Sequence, residues 1–141
     1  MSWADSLIKL ASYEVENRQA RLAEVARRKA DAETRLAVMI AEGEAETKHA
    51  AQNAEAGWYL VGYAEGLKVR KAAVQAEIDA LEAEERGARD ALAAAFEEQK
   101  KYEQVAESMQ AAQAKEVRRR ENAELDEVGM RAARRSASRA S

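Results

Sequence analysis

Residues 56–66 read A-G-W-Y-L-V-G-Y-A-E-G, and how this stretch is taken decides the fold. From Ala56 to Ala64 there is no charge, although 35% of the chain is Asp, Glu, Lys or Arg; Gly57, Gly62 and Gly66 are three of its six glycines. A glycine cluster between two periodic segments marks a turn. The stretch therefore predicts a reversal over about 57–66.

On its N-terminal side Ile8, Ala11, Val15, Arg18, Leu22, Val25, Lys29, Ala32, Leu36 and Met39 follow alternating steps of three and four, with eight of the ten apolar. That is the spacing of heptad positions a and d. On its C-terminal side Val74, Ile78, Leu81, Glu85, Ala88, Leu92, Ala95, Gln99, Tyr102, Ala106, Met109, Gln113, Glu116, Arg120 and Ala123 repeat the pattern, ten of fifteen being apolar. The polar members come late, so pairing is expected to weaken toward the C-terminus.

Two seams joined by a turn fold back into an all-α, long antiparallel two-helix coiled-coil hairpin with a frayed basic C-terminal tail. The expected bounds are a first helix over about 3–56, a tip over about 57–66, a second helix over about 67–130 and a tail over about 131–141, all one elongated domain. A reversal there sets residue i roughly opposite 123 − i. The competing architecture is one uninterrupted helix in an intermolecular coiled coil, where each isolated glycine costs about 1 kcal/mol. The hairpin is preferred; Gly43, Gly87 and Gly129 read as tolerated or slightly bent positions. At the start, Ser2 and Asp5 match a capping box.

Composition supports helix and argues against a thick core. Of the 66 hydrophobic residues 34 are alanine, whereas leucine, isoleucine, valine, methionine and phenylalanine together number 26. Alanine buries little area, and burial is worth roughly 25 cal/mol per Å². The chain has no proline, and its commonest residues head the helix-propensity scale. An acid precedes a base by four residues ten times and follows it only four times. The first order is the better oriented on a helix, so a solvated helical surface is indicated.

With no cysteine there is neither a disulfide framework nor a thiol nucleophile. The opening Met-Ser-Trp-Ala-Asp is not a basic segment followed by an apolar one, and no run of about 18 apolar residues occurs. The expectation is a cytoplasmic protein without membrane insertion. The formal charge of −3 hides an asymmetry: Val128 to Ser141 carries Arg131, Arg134, Arg135 and Arg139 with no acid, which leaves −7 on the other 127 residues.

Catalytic and metal sites need side chains converging in an enclosed pocket, which a two-helix hairpin does not supply. Glu82, Glu84 and Glu85 read as a charged helix face. Glu46 and His49 have the Glu-x-x-His spacing of di-iron bundles, but such sites need two copies and this chain has one histidine. The glycines lack the Lys-Ser/Thr ending of a phosphate loop. Neither an enzymatic activity nor a cofactor is expected.

Two features point to contacts. Trp58, Tyr59, Leu60, Val61 and Tyr63 put three of the chain's seven aromatics within six residues, at a tip with little protein to cover them. They plug the hairpin end, serve as an interface, or do both. Arg118, Arg119 and Arg120, with Arg131, Arg134 and Arg135, form a basic end that fits an acidic protein surface or serves only as a solubilising tail. Nucleic acid is not the expected partner, because the acidic remainder of the chain would repel the same polyanion.

The stretches S-L-I-K-L-A-S-Y-E-V-E (6–16), R-L-A-E-V-A-R-R (21–28) and A-E-A-G-W-Y-L-V-G-Y-A-E-G-L-K-V-R-K (54–71) resemble the flagellar export protein FliJ of alphaproteobacteria. Heptad similarity alone is unspecific; the Gly-Trp-Tyr segment between long helices is the more discriminating part. The resemblance implies an antiparallel coiled coil similar to the central stalk of rotary ATPases, whose paired ends enter the pore of the hexameric export ATPase FliI and promote its activity. It further implies contact with the export-gate protein FlhA and, in some members, with export chaperones, at the flagellar basal body on the inner membrane. The residue reading adds Trp58, Tyr59, Leu60, Val61 and Tyr63 as the gate or chaperone surface, and the six arginines as the ATPase surface. The equivalent stalk of a non-flagellar type III secretion system and a nucleic-acid-binding coiled coil are the alternatives.

Overall fold

The computed structural model describes residues 3–53, 55 and 57–140. They form two helices, α1 (Trp3–Gln52, 50 residues) and α2 (Gly57–Ala140, 84 residues). No strand occurs among the described residues. Asp5 stands in the first turn of α1, where a carboxylate opposes the partial positive charge of the helix end; the Ser2 cap lies outside the described residues.

The reversal lies N-terminal to the stretch expected to turn. The Asn53 N–H donates to the His49 carbonyl at 3.1 Å, and the Asn53 side-chain oxygen accepts from the Glu55 N–H at 3.1 Å. Such an Asx turn satisfies backbone groups that the helix would otherwise have to pair, and so ends it. Residues 57–66, expected to form the tip, are instead the first turns of α2. No glycine has a positive φ, so Gly57, Gly62 and Gly66 are not held by turn geometry; their helical cost, about 1 kcal/mol each, is borne by the packing further along α2.

By contacts the chain divides into two compact units. In the unit spanning Ser12–Glu97, α1 and α2 pack antiparallel. Val25 and Ala32 of α1 and Val74, Ile78 and Leu81 of α2 form its centre, with Leu36 and Met39 packed on it. Val15, Leu67 and Ala95 are buried too. The stripes marked by the heptad steps are thus the packed ones, although Arg18 is exposed. Leu60, Tyr63 and Leu67 extend the second stripe back toward the reversal at steps of three and four, burying or half-burying positions assigned to a tip.

The facing residues differ from those expected. Arg35 Nη2 donates to Glu77 at 2.7 Å, and Arg28 Nη1 to Glu84 at 3.4 Å, so the paired numbers add to 112 rather than 123. Gly43 faces Leu67, adding to 110; a Cβ on Gly43 would lie 2.5 Å from the leucine Cδ2. Gly43 is therefore the recess for Leu67 and not an incidental bend. The register moved because the reversal moved: shifting a turn shifts every facing pair by twice as much. The same stripes stay buried because the change, roughly two heptads, returns a and d positions to a and d positions.

The other unit comprises 3–11 and 98–140. Ala4 and Ala11 are buried, and Gln99, Tyr102 and Ala106 are half-buried. Because α1 supplies only these first residues, α2 outlasts its companion. From Glu107 to Ala140 every residue is exposed except the half-buried Glu116. The tail expected to fray over 131–141 is helical through Ala140, since 131–140 holds no glycine or proline and its ion pairs form along the helix itself. No helix is long and apolar enough to cross a membrane among the described residues.

Candidate interaction surfaces

The aromatic cluster is divided by the helix that carries it. Successive residues of a helix point about 100° apart, so five neighbours cannot share one face. Tyr59, Leu60 and Tyr63 are half-buried, whereas Trp58 is 84% and Val61 72% exposed. The Tyr59 hydroxyl donates to Glu46 at 3.0 Å, tying the start of α2 to α1. That bond to a carboxylate, first, and then desolvation hold the phenol above its ordinary pKa. The Trp58 and Tyr59 rings meet edge to face, centroids 6.3 Å apart at 85°. Trp58 and Val61 are thus the part of the cluster open to a partner, with Tyr59 setting the indole in place.

Glu46, half of the Glu-x-x-His pair, is occupied by this tyrosine. Among the described residues no group of three or more His, Cys, Asp or Glu side chains stands close enough to hold a metal.

The arginines lie in the unit of 3–11 and 98–140. Arg119 grips Glu116 through two nitrogens at 2.8 and 3.0 Å, and Arg120 reaches the same carboxylate at 3.3 Å. The Arg119 hydrogen bonds hold Glu116 below the ordinary carboxylate range. Arg131 pairs with Glu127 at 2.9 Å. Arg118, Arg134 and Arg135 have no ion pair among the described residues. At about 100° per residue, Arg120, Arg131, Arg134 and Arg135 fall within roughly 100° of arc, while Arg118 and Arg119 point elsewhere. Four of the six arginines therefore share a face.

Beside that face runs a stripe the heptad reading passed over. Val117, Leu125 and Val128 are 46%, 68% and 61% exposed, and Ala132 continues the line. The continued a/d steps pointed to Gln113, Glu116 and Arg120, on a different side of α2. The steps 117, 121, 125, 128 and 132 were the available signal, masked by Glu121 in their midst.

An antiparallel helical pair whose longer helix carries an uncovered, arginine-faced segment places the chain among all-helical, coiled-coil-like proteins. A family model for the flagellar FliJ protein matches residues 5–138. Flagellar FliJ proteins of Caulobacter vibrioides, strain NA1000 / CB15N and strain ATCC 19089 / CIP 103742 / CB 15, are each 47% identical to this chain over 131 residues, covering 93% of it and 94% of the relative. No solved structure matches. The chain belongs to the FliJ family, whose membership supports a component of the flagellar export apparatus.

Proposed function

We propose that this protein is a non-enzymatic stalk component of the flagellar type III export apparatus, binding and stimulating the hexameric export ATPase FliI and linking it to the export gate FlhA at the basal body. The observation that carries the reading is the segment of α2 from Glu107 to Ala140, helical but uncovered, in a chain of the FliJ family. A helix with no companion and four arginines along one face is suited to enter an acidic, concave protein surface such as the inside of a ring. Trp58 and Val61 are assigned to the gate or to a chaperone, because an exposed indole beside an aliphatic side chain is the usual anchor of a protein interface. The non-flagellar alternative is not carried forward, since the relatives are flagellar proteins.

The test is FliI ATPase activity and co-sedimentation with and without the chain. Stimulation with co-sedimentation is expected; neither would overturn the reading. In the triple variant Arg120→Glu, Arg134→Glu, Arg135→Glu, binding should weaken on the order of tenfold at physiological salt, with the thermal midpoint unchanged. Unchanged affinity removes those arginines from the contact.

A further inference from the structure

Most of the packed seam cannot tell one heptad from the next. Val25, Ala32, Val74, Ile78, Leu81 and Ala95 are small or aliphatic throughout. Sliding α2 along α1 by 7 or 14 residues returns seam positions to seam positions. A slide of 14 would carry the reversal to about residue 62, into the stretch where Gly57, Gly62 and Gly66 make a turn available. The chain nevertheless reverses just after Asn53.

Neither Leu67 nor the outer ion pairs account for that choice. After a one-heptad slide Leu67 meets Ala50, another small residue, and Glu84 passes from Arg28 to Arg35. The outer side chains are about half exposed, where ion pairs are worth little. Lys29 and Glu85 differ. Glu85 is only 8% exposed, and its carboxylate lies 3.7 Å from Lys29 Nζ, whose side chain is 23% exposed. The heptad steps put Glu85 in the seam while Glu82 and Glu84 beside it suggest a charged face, and it is the seam position that holds. Arg89 also reaches it, at 3.1 Å, but rides on the same helix and accompanies it in any register.

With facing seam residues adding to about 110, as Gly43 and Leu67 do, Glu85 and Lys29 stand four residues apart along the axis, and a one-heptad slide, which leaves them three apart, keeps them neighbours. A two-heptad slide sets them opposite Met39 and Ala95. The two-heptad slide carries the ammonium and the carboxylate ten residues, about 15 Å, apart along the axis and breaks the cross-helix pairing of a largely desolvated carboxylate. We infer that the Lys29–Glu85 layer locks the register of the hairpin against the two-heptad slide, which would carry the reversal to about residue 62.

The test is a spin-label distance measurement on the full chain carrying Ala23→Cys and Lys68→Cys, both at exposed positions of a chain without cysteine. Diluting with unlabelled protein restricts the signal to single molecules. In the observed register the labels are offset by about 28 Å along the helices, and each heptad of slide adds about 10 Å. The parent should give one distance. Adding Lys29→Leu and Glu85→Leu together, which makes the seam apolar, should keep the helix signal by circular dichroism yet introduce a second population about 20 Å longer. A single unbroadened short distance in this variant overturns the proposal. So does loss of helix, because the layer would then sustain the fold instead of choosing its register.

Discussion

Two regions of α2 are built from the same kinds of residue and have different fates. Residues 67–95 bury Leu67, Val74, Ile78, Leu81, Glu85 and Ala95, whereas 107–140 bury nothing, although Met109, Val117, Leu125, Val128 and Met130 are no less apolar than the buried set. Both are helical throughout. Helix here is a local property, carried by alanine, glutamate, lysine and arginine and the absence of proline; burial requires a second surface, which α1 supplies to one region and not to the other.

Substituting one residue from each region tests the contrast most severely. Val25→Asp places a charge where the side chain is fully covered, and should cost about 3–5 kcal/mol in a thermal or denaturant melt. Leu125→Asp changes a side chain that is 68% exposed and should stay within about 0.5 kcal/mol. Equal losses would mean that the C-terminal segment is packed in solution.

A smaller effect sharpens the comparison at two glycines. An added Cβ meets nothing within 4 Å at Gly87, so Gly87→Ala should stabilise by about 0.5–1 kcal/mol through helix propensity. At Gly43 the same methyl runs into Leu67, and that gain should be cancelled or reversed. If Gly43→Ala proves as stabilising as Gly87→Ala, the facing of Gly43 and Leu67 is wrong.

The smallest effect is electrostatic. The hydrogen bond from Arg35 is the main reason that the folded-state pKa of Glu77 lies below its ordinary value. A depressed carboxylate contributes stability above its unfolded pKa and loses it as pH falls through the folded one. The melting difference between the parent and Glu77→Gln should therefore be present at neutral pH and shrink below the ordinary carboxylate range. A difference that grows on acidification would contradict the pairing.

Much of this architecture was legible in the heptad steps. Val25, Ala32, Val74, Ile78 and Leu81 stand where the a and d spacing put them, because amphipathic periodicity directly encodes which stripe must leave water. The reversal was not legible in the same way. Three glycines drew attention to 57–66, while Asn53, whose side chain closes the turn, is a single polar residue among many. The aromatic surface was half legible: sequence proximity grouped Trp58 to Tyr63, and the helical rotation between neighbours then sent Tyr59, Leu60 and Tyr63 to one side and Trp58 and Val61 to the other.

By itself the sequence determined that this chain is helical, which stripes pair, and that the arginines gather near the C-terminus, since all three follow from short-range spacing and composition. Only the tertiary structure decided which heptad meets which, that Glu85 is buried beside Lys29, and that α2 runs on alone past Glu107. A seam of alanines and aliphatics repeats itself every seven residues, so its energy is nearly blind to register. The choice falls to the few side chains that differ from the repeat, and to where the first helix stops.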